Sequence, residues 1–354
     1  MKVGIIHTSN KKKEKRYPVH ARQLTELKPE HLHKIIFEEG YPGLETLPKD
    51  LIKTAKREDI FNEVDLVILH KPVPDDYLYF REHQILWGAL HCVQTPSIVD
   101  LAINKKMTLI AFEQMLTPNE DGKDQSIFYR NREVAGVASV VHSLSLIGMT
   151  AGLYGNKKKV AVIGYGSTGK GAIKALLGLG AEQISVYSRR SRSQIKVDDS
   201  RLVFKKYHSE NGRVTMEGKA PFEELSQYDI IVNCILQNPL KPIVFMTSQE
   251  ALKIKKMLLI IDISCDAGMG FEFAKPTSFS EPIFNVGKVV YYGVDHSPSL
   301  FYRDASYEIG KAVMPYLKYI LDHDTYRGNK ILEKAVDIEE GVIKNREIIT
   351  FQKR

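Results

Sequence analysis

Cysteine is scarce: Cys92, Cys234 and Cys265 are the only three in 354 residues. An odd count at wide spacing excludes a disulfide framework and a cysteine-ligated metal centre, and no metal site is expected. Each cysteine lies among apolar neighbours, so buried reduced thiols in a reducing compartment are predicted. No basic leader and apolar run precede the strand-like segment Val3–Ile6. No stretch of membrane-spanning length is free of charge. A cytoplasmic protein with no membrane partner is therefore expected. Zinc-finger and RNP spacings are absent, and no aromatic residues interleave with the basic run Lys11-Lys12-Lys13-Glu14-Lys15-Arg16. The formal net charge of +7 and pI of about 9.0 thus point to small anionic ligands rather than nucleic acid.

What is present is a packed globular composition, 43% hydrophobic and 26% charged, of a length that suits two domains. Apolar runs of strand length are Val3–Ile6, Leu66–Leu69, Leu109–Phe112, Val160–Ile163, Ile184–Tyr187, Ile230–Ile235, Leu258–Ile263 and Val289–Val294. Helix-like segments separate most of them. This alternation predicts parallel sheets with crossover helices, and near-continuous apolar strands predict burial on both faces. The first group of strands ends near Gln114. A turn-rich stretch, Thr117-Pro118-Asn119-Glu120-Asp121-Gly122, follows, then a helical connector from about Glu133 to Tyr154. The segments Leu300–Asp322 and Lys330–Val336 read as helices without strands of their own, packing back on the first domain. The fold class expected is α/β: two Rossmann-like doubly wound domains with a cleft between them, the first discontinuous. The division expected is a substrate domain of residues 1–132 with 300–354, and a dinucleotide domain of residues 133–299.

The most informative stretch is Val160-Ala161-Val162-Ile163-Gly164-Tyr165-Gly166-Ser167-Thr168-Gly169. A lone GxGxxG pattern is weak. Here it closes a strand, opens the helix-like segment Lys170–Leu179 and precedes a second strand at Ile184–Tyr187, which is the context a dinucleotide site demands. Its glycines permit a tight turn and close approach of a pyrophosphate, which rests on the helix N-terminus with Ser167, Thr168 and Gly169. An NAD site carries Asp or Glu at the end of the second strand. This sequence has Ser188-Arg189-Arg190 there. A carboxylate repels a 2′-phosphate, whereas arginine pairs with one, so NADPH is the cofactor expected.

Ligands of open α/β sheets bind beyond the carboxyl ends of the strands. Charged residues at those places are Arg16, Lys71 and His91 in the first strand group, and Asp262 and Asp266 in the second. Each alone has an ordinary structural reading: a histidine satisfied in the core, a surface lysine, an aspartate forming a turn. Their clustering in the expected topological places favours a site.

Over nearly its whole length the chain resembles the alanine dehydrogenase and saccharopine dehydrogenase superfamily. The resemblance rests on Glu14-Lys15-Arg16, Leu69-His70-Lys71-Pro72, Leu90-His91, Phe112-Glu113, Arg132-Glu133-Val134-Ala135-Gly136, the glycine turn, Asp262-Ile263-Ser264-Cys265-Asp266 and Val294-Asp295-His296-Ser297-Pro298-Ser299-Leu300. Within the superfamily the stretches Ser264–Glu272 and Asp295–Pro298 look most like the N5-(carboxyethyl)ornithine synthases. Alanine dehydrogenases differ in having Gln-Gly-Gly where Ala267-Gly268-Met269 stands, Asn-Met-Pro at His296-Ser297-Pro298, and an acidic residue after the second cofactor strand.

The resemblance implies roles. Arg16 and Lys71 bind the carboxylate and carbonyl of a 2-oxo acid, His91 shuttles protons with Lys71, and Asp266 orients the amine or departing water. Ile235 and His296 join the glycine turn, Ser188, Arg189 and Arg190 in holding the cofactor. The implied reaction is NADPH-dependent condensation of pyruvate with the side-chain amine of L-ornithine or L-lysine through an imine. Amino acid dehydrogenation of the alanine or saccharopine type is the alternative. The implied partners are a 2-oxo acid and a basic amino acid, in a homo-oligomer, a tetramer. A catalytically silent NADP-binding sensor is the rival from another class.

Overall fold

The structure, a computed structural model, describes residues 1–119, 121–210, 212–238 and 241–354. Its chain divides into two compact units, residues 1–131 with 301–354 and residues 132–300.

Among the described residues the first unit is built on an eight-stranded sheet. Its order is Val342–Ile343, Val336–Glu339, Thr108–Ala111, Ile85–Gly88, Leu66–Ile68, Val3–Ile5, Ile35–Glu38, Lys53–Ala55. The six strands from the N-terminal part of the chain pair in parallel. Side chains alternate between the two faces: Val3, Ile5, Leu66 and Ile68 enter one apolar cluster, Ile6, Val67 and Leu69 the other. That double burial is why these strands read as unbroken apolar runs. The chain order reverses at Val3–Ile5, which has Ile35–Glu38 on one side and Leu66–Ile68 on the other.

The C-terminal residues return to this unit. In the helix Tyr302–His323, Ile309, Val313, Leu317, Ile320 and Leu321 recur at helical spacing and enter the same cluster as Val3 and Trp87. Ser306 Oγ accepts the Tyr17 backbone N–H at 3.0 Å. The expectation that this segment lacks strands is corrected. Its second helix stops at Lys334, and Val336–Glu339 and Val342–Ile343 form a hairpin that extends the sheet antiparallel to Thr108–Ala111. The hairpin lies almost wholly beyond the helix expected over Lys330–Val336 and escapes a sequence reading because only Val336, Ile338, Val342 and Ile343 carry its apolar pattern, among Asp337, Glu339 and Glu340.

The second unit repeats the plan. Its sheet order is Arg213–Met216, Leu202–Glu210, Ile184–Ser188, Val160–Ile163, Ile230–Asn233, Leu258–Asp262, Val289–Tyr292, Ile283–Val286. The two outer strands are antiparallel and the inner six parallel. Here the order reverses at Val160–Ile163. The connector helix spans Tyr129–Leu146, beginning and ending earlier than the sequence suggests. In the first unit, the turn after Pro118 joins the antiparallel strands Leu116–Pro118 and Asp124–Ser126, with Asn119 Oδ1 accepting the N–H of Asp121 and Lys123; Glu120 lies outside the described residues. Among the described residues no helix is long and apolar enough to cross a membrane, and no group of three His, Cys, Asp or Glu is placed to hold a metal ion. None of the three cysteines forms a disulfide.

Candidate active site

In the first unit, Arg16 follows the strand Val3–Ile5 at the order reversal, and Lys71, His91 and Glu113 follow the carboxyl ends of the three parallel strands that succeed it on one side, Leu66–Ile68, Ile85–Gly88 and Thr108–Ala111, the end of the sheet where open α/β folds bind ligands. Gly88 draws two of these turns together. A Cβ on it would lie 2.1 Å from the Leu69 carbonyl oxygen, so only glycine allows the two strand ends this approach. Lys71 and His91 then each leave their strand in the left-handed region, with φ of 55° and 48°. Non-glycine residues held there are strained and cluster at functional sites. The His91 turn is held by Glu113, whose carboxylate accepts the backbone N–H groups of both Leu90 and His91.

Arg16 is buried, and so is its partner Glu14. Arg16 Nε and Nη2 donate to Glu14 Oε1 and Oε2 at 2.8 and 2.6 Å. The same Glu14 Oε1 accepts the Lys15 and Arg16 backbone N–H. The buried charge is thereby compensated and the guanidinium fixed in plane. One edge of the fork is occupied; Nη1 faces away from this pair and is the group that could meet a substrate carboxylate.

Amid these residues lies His70, 4% exposed, whose two ring nitrogens have no hydrogen-bond partner among the described residues. Burial, followed by the charge of Arg16, lowers its pKa to about 3, with Lys71 and His91 acting in the same direction and Glu14 against. The imidazole is therefore neutral at any ordinary pH. Behind the His91 turn, Asp337 from the C-terminal hairpin is raised to about 7 by burial and by Glu113, and the buried thiol of Cys92 is pushed up by the same burial.

In the second unit the glycine turn has the geometry of an anion cradle. Gly164 has φ of 101°, and a Cβ there would meet Ile235 Cγ2 at 2.9 Å. A Cβ on Gly169 would meet the Gly164 carbonyl oxygen at 2.1 Å, and one on Gly171 the Glu133 carbonyl oxygen at 2.0 Å. These glycines close the turn and seat the helix Ser167–Gly178 against the connector helix. At Gly166, the N-cap, an added Cβ would meet nothing within 4 Å among the described residues, and there is no side-chain cap among them. Open space over uncapped N–H groups at a helix N-terminus fits a pyrophosphate. At the end of the strand Ile184–Ser188, Ser188 Oγ accepts the Arg190 N–H at 3.1 Å. The Arg190 guanidinium lies over the Tyr165 ring and donates to the Tyr165 carbonyl. The Arg189 charge acts on Tyr207, opposing the rise in that phenol's pKa that burial causes.

At the carboxyl end of Leu258–Asp262, the buried Asp262 accepts Asn233 Nδ2 and the Cys265 N–H through Oδ1, both at 3.0 Å, and the Tyr291 hydroxyl through Oδ2 at 2.9 Å. It holds Cys265 at φ of 40° and so fixes the half-buried Asp266 that follows. His296 is buried, with Nδ1 2.7 Å from Asp295 Oδ1, while its Nε2 has no hydrogen-bond partner among the described residues. Phe279 meets the ring edge-on.

This geometry can be set against known proteins. The family model described as "Alanine dehydrogenase/PNT, C-terminal domain" matches residues 140–346. The chain belongs to the alanine dehydrogenase/PNT family. It is 28% identical to the N(5)-(carboxyethyl)ornithine synthase of Clostridium botulinum over 341 residues, covering 90% of this chain and 95% of that protein. It is 25% identical to alanine dehydrogenase 1 of Staphylococcus aureus, covering 93% and 90%. A solved L-alanine dehydrogenase superimposes with a TM-score of 0.78 at 17% identity, covering 100% of this chain and 99% of that one. The transhydrogenase from Sinorhizobium meliloti does so at 0.72. Membership makes the chain a nicotinamide-dependent oxidoreductase of the amino acid dehydrogenase kind, with two Rossmann-like domains.

The structure brings Arg16, Lys71 and His91 around one buried imidazole, and gathers Gly164, Gly166, Ser167, Thr168, Gly169 and Ile235 at one turn, with Arg190 laid across its mouth. Sequence reasoning gave no role to His70, Glu14 or Glu113, although all three lie in the quoted motifs. The available signal was position: His70 follows an apolar strand directly, and Glu14 and Glu113 are lone acids beside the candidate residues.

Proposed function

We propose that the chain is an NADPH-dependent synthase that condenses pyruvate with the side-chain amine of L-ornithine, accepting the ε-amine of lysine as well. The observation that carries the reading is the charge at the end of the strand Ile184–Ser188. Ser188, Arg189 and Arg190 stand where an NAD site has a carboxylate, and Arg190 reaches the glycine turn. For the amine, support comes from similarity to the Clostridium botulinum synthase and from Asp295-His296-Ser297-Pro298. When bound, NADPH supplies a hydride to the imine carbon. Arg16, neutralised along one edge by Glu14, holds the oxo acid carboxylate. Lys71 and His91 take the proton lost by the amine as the C–N bond forms and return one to the oxygen that leaves as water. Asp266 orients the amine. The assembly is a homo-oligomer in a cytoplasmic setting.

The test is nicotinamide oxidation with pyruvate and, in turn, ornithine, lysine and ammonia, each with NADPH and NADH. The product mass should equal amine plus pyruvate, less water, plus two hydrogens. Turnover with ornithine and NADPH supports the reading. Turnover confined to ammonia would assign an alanine dehydrogenase, the second reading, which the Staphylococcus aureus relative favours.

A further inference from the structure

Protein interiors rarely bury a polar side chain without a partner, and each such group calls for an explanation. His70 is the sharpest instance in the first unit: a whole imidazole, 4% exposed, with both Nδ1 and Nε2 unpartnered among the described residues. It lies one residue beyond Leu69 at the carboxyl end of the strand Leu66–Ile68. Phe112 packs against it, ring centroids 6.1 Å apart. Around it are the Arg16–Glu14 pair, Lys71 and His91. A side chain serving packing alone would be better made of carbon here, because an imidazole stripped of water and given no partner destabilises the fold.

We propose that His70 is a substrate-contacting residue, donating a ring N–H to the carbonyl oxygen of the 2-oxo acid that Arg16 holds by its carboxylate. The inference rests on the reductive condensation reading and names a contact that reading leaves open. A neutral imidazole has one donor and one acceptor nitrogen. The donor polarises the carbonyl as the amine lone pair forms the new C–N bond and the C=O π pair moves onto oxygen. That oxygen takes its proton from Lys71 or His91 and departs as water, and His70 keeps its own proton throughout. The positive charges of Arg16 and Lys71 suit a neutral donor here, since a third cation would be repelled. Neutral histidine stabilising a developing oxyanion is an established use of an imidazole with a depressed pKa. A site built to hydrogen-bond a substrate oxygen leaves a polar group unpaired without substrate, which accounts for the orphaned nitrogens.

The experiment separates binding from folding. Wild type, His70→Phe and His70→Gln are loaded with NADP⁺, which allows no reduction, and pyruvate binding is measured by calorimetry beside a thermal melt. The expected result is that His70→Phe melts no lower than wild type but binds pyruvate at least about tenfold more weakly, the loss of one hydrogen bond. His70→Gln, which keeps an N–H at similar reach, recovers part of that binding. If His70→Phe binds pyruvate like wild type, His70 is a core residue and the proposal fails. If His70→Phe loses both stability and binding, His70→Gln decides: restored binding sustains the contact, and its absence overturns it. Wild type that binds no pyruvate sinks the oxo acid reading itself, and this contact with it.

Discussion

Tyr291 donates its phenol to Asp262 at 2.9 Å in the interior of the second unit. Three donors reach that carboxylate, counting Asn233 and the Cys265 backbone, yet burial still dominates and raises its pKa from 3.8 to about 6. A carboxyl raised by folding contributes its stability at low pH and loses it as pH climbs through the folded value. The contribution should be full below about pH 4 and gone above about pH 6, on the order of 3 kcal/mol. Asp262→Asn cannot ionise and should flatten the melting temperature over that window. Asp337, raised to about 7, has the same sign, so some slope should survive toward neutrality. An unchanged slope in Asp262→Asn would show that Asp262 ionises without penalty.

The left-handed turn at His91 makes a second expectation specific. His91→Gly removes the Cβ that disfavours φ of 48° while adding backbone entropy, two effects of about 1 kcal/mol that oppose each other. Stability should therefore change little. Turnover should fall by about a hundredfold or more if the imidazole carries the proton, and free imidazole in solution should restore part of it. Loss of turnover without rescue would assign His91 to holding the turn, a role it shares with Glu113.

Much of the fold was legible because of double burial. Val160–Ile163, Leu258–Asp262 and Leu66–Ile68 are covered on both faces and so spell out apolar runs that period and length identify. The edge strand Lys53–Ala55 was missed for the converse reason: Lys53 and Thr54 are exposed and pairing rather than hydrophobicity makes the strand. Val336–Glu339 alternates apolar and acidic residues, and Ile35–Glu38, though buried on both faces, offers only three apolar residues in a row. In the site, the glycine turn and Arg190 were readable from motif and position. Glu113 and Asp262 act through partners distant in sequence, Glu113 with His91 and Asp262 with Tyr291, and no local pattern announces those pairings; Glu14 pairs with Arg16 only two residues on, but the burial of that pair is set by the fold.

The glycine turn offers a contrast within one motif. Gly171→Ala places a methyl 2.0 Å from the Glu133 carbonyl, which the packed helix pair can relieve only by moving. A loss of about 1–3 kcal/mol in unfolding free energy is expected. Gly166→Ala meets nothing within 4 Å and should leave stability within about 0.5 kcal/mol. Its methyl instead occupies the space over the helix N-terminus, so NADPH binding, followed by cofactor fluorescence, should weaken about tenfold or more. Gly166→Ala that binds NADPH normally would move the pyrophosphate off this turn.

Cofactor choice is the last expectation, and on the proposed function it falls to Arg190. The residue is exposed; its backbone N–H donates to the Ser188 hydroxyl and its guanidinium to the Tyr165 carbonyl. A charge-assisted pair with a phosphate is worth about 1.5–3 kcal/mol. Arg190→Ala should therefore weaken NADPH by about tenfold to a hundredfold and leave NADH unaffected, since NADH lacks the phosphate. Arg190→Asp should go further, repelling NADPH and offering NADH the carboxylate that its ribose hydroxyls prefer. Added salt should erode NADPH affinity of the wild type and have little effect on Arg190→Ala, because the screened charge is then gone. Equal losses for both cofactors in Arg190→Ala would mean that the side chain shapes the glycine turn through Tyr165 and does not read the phosphate.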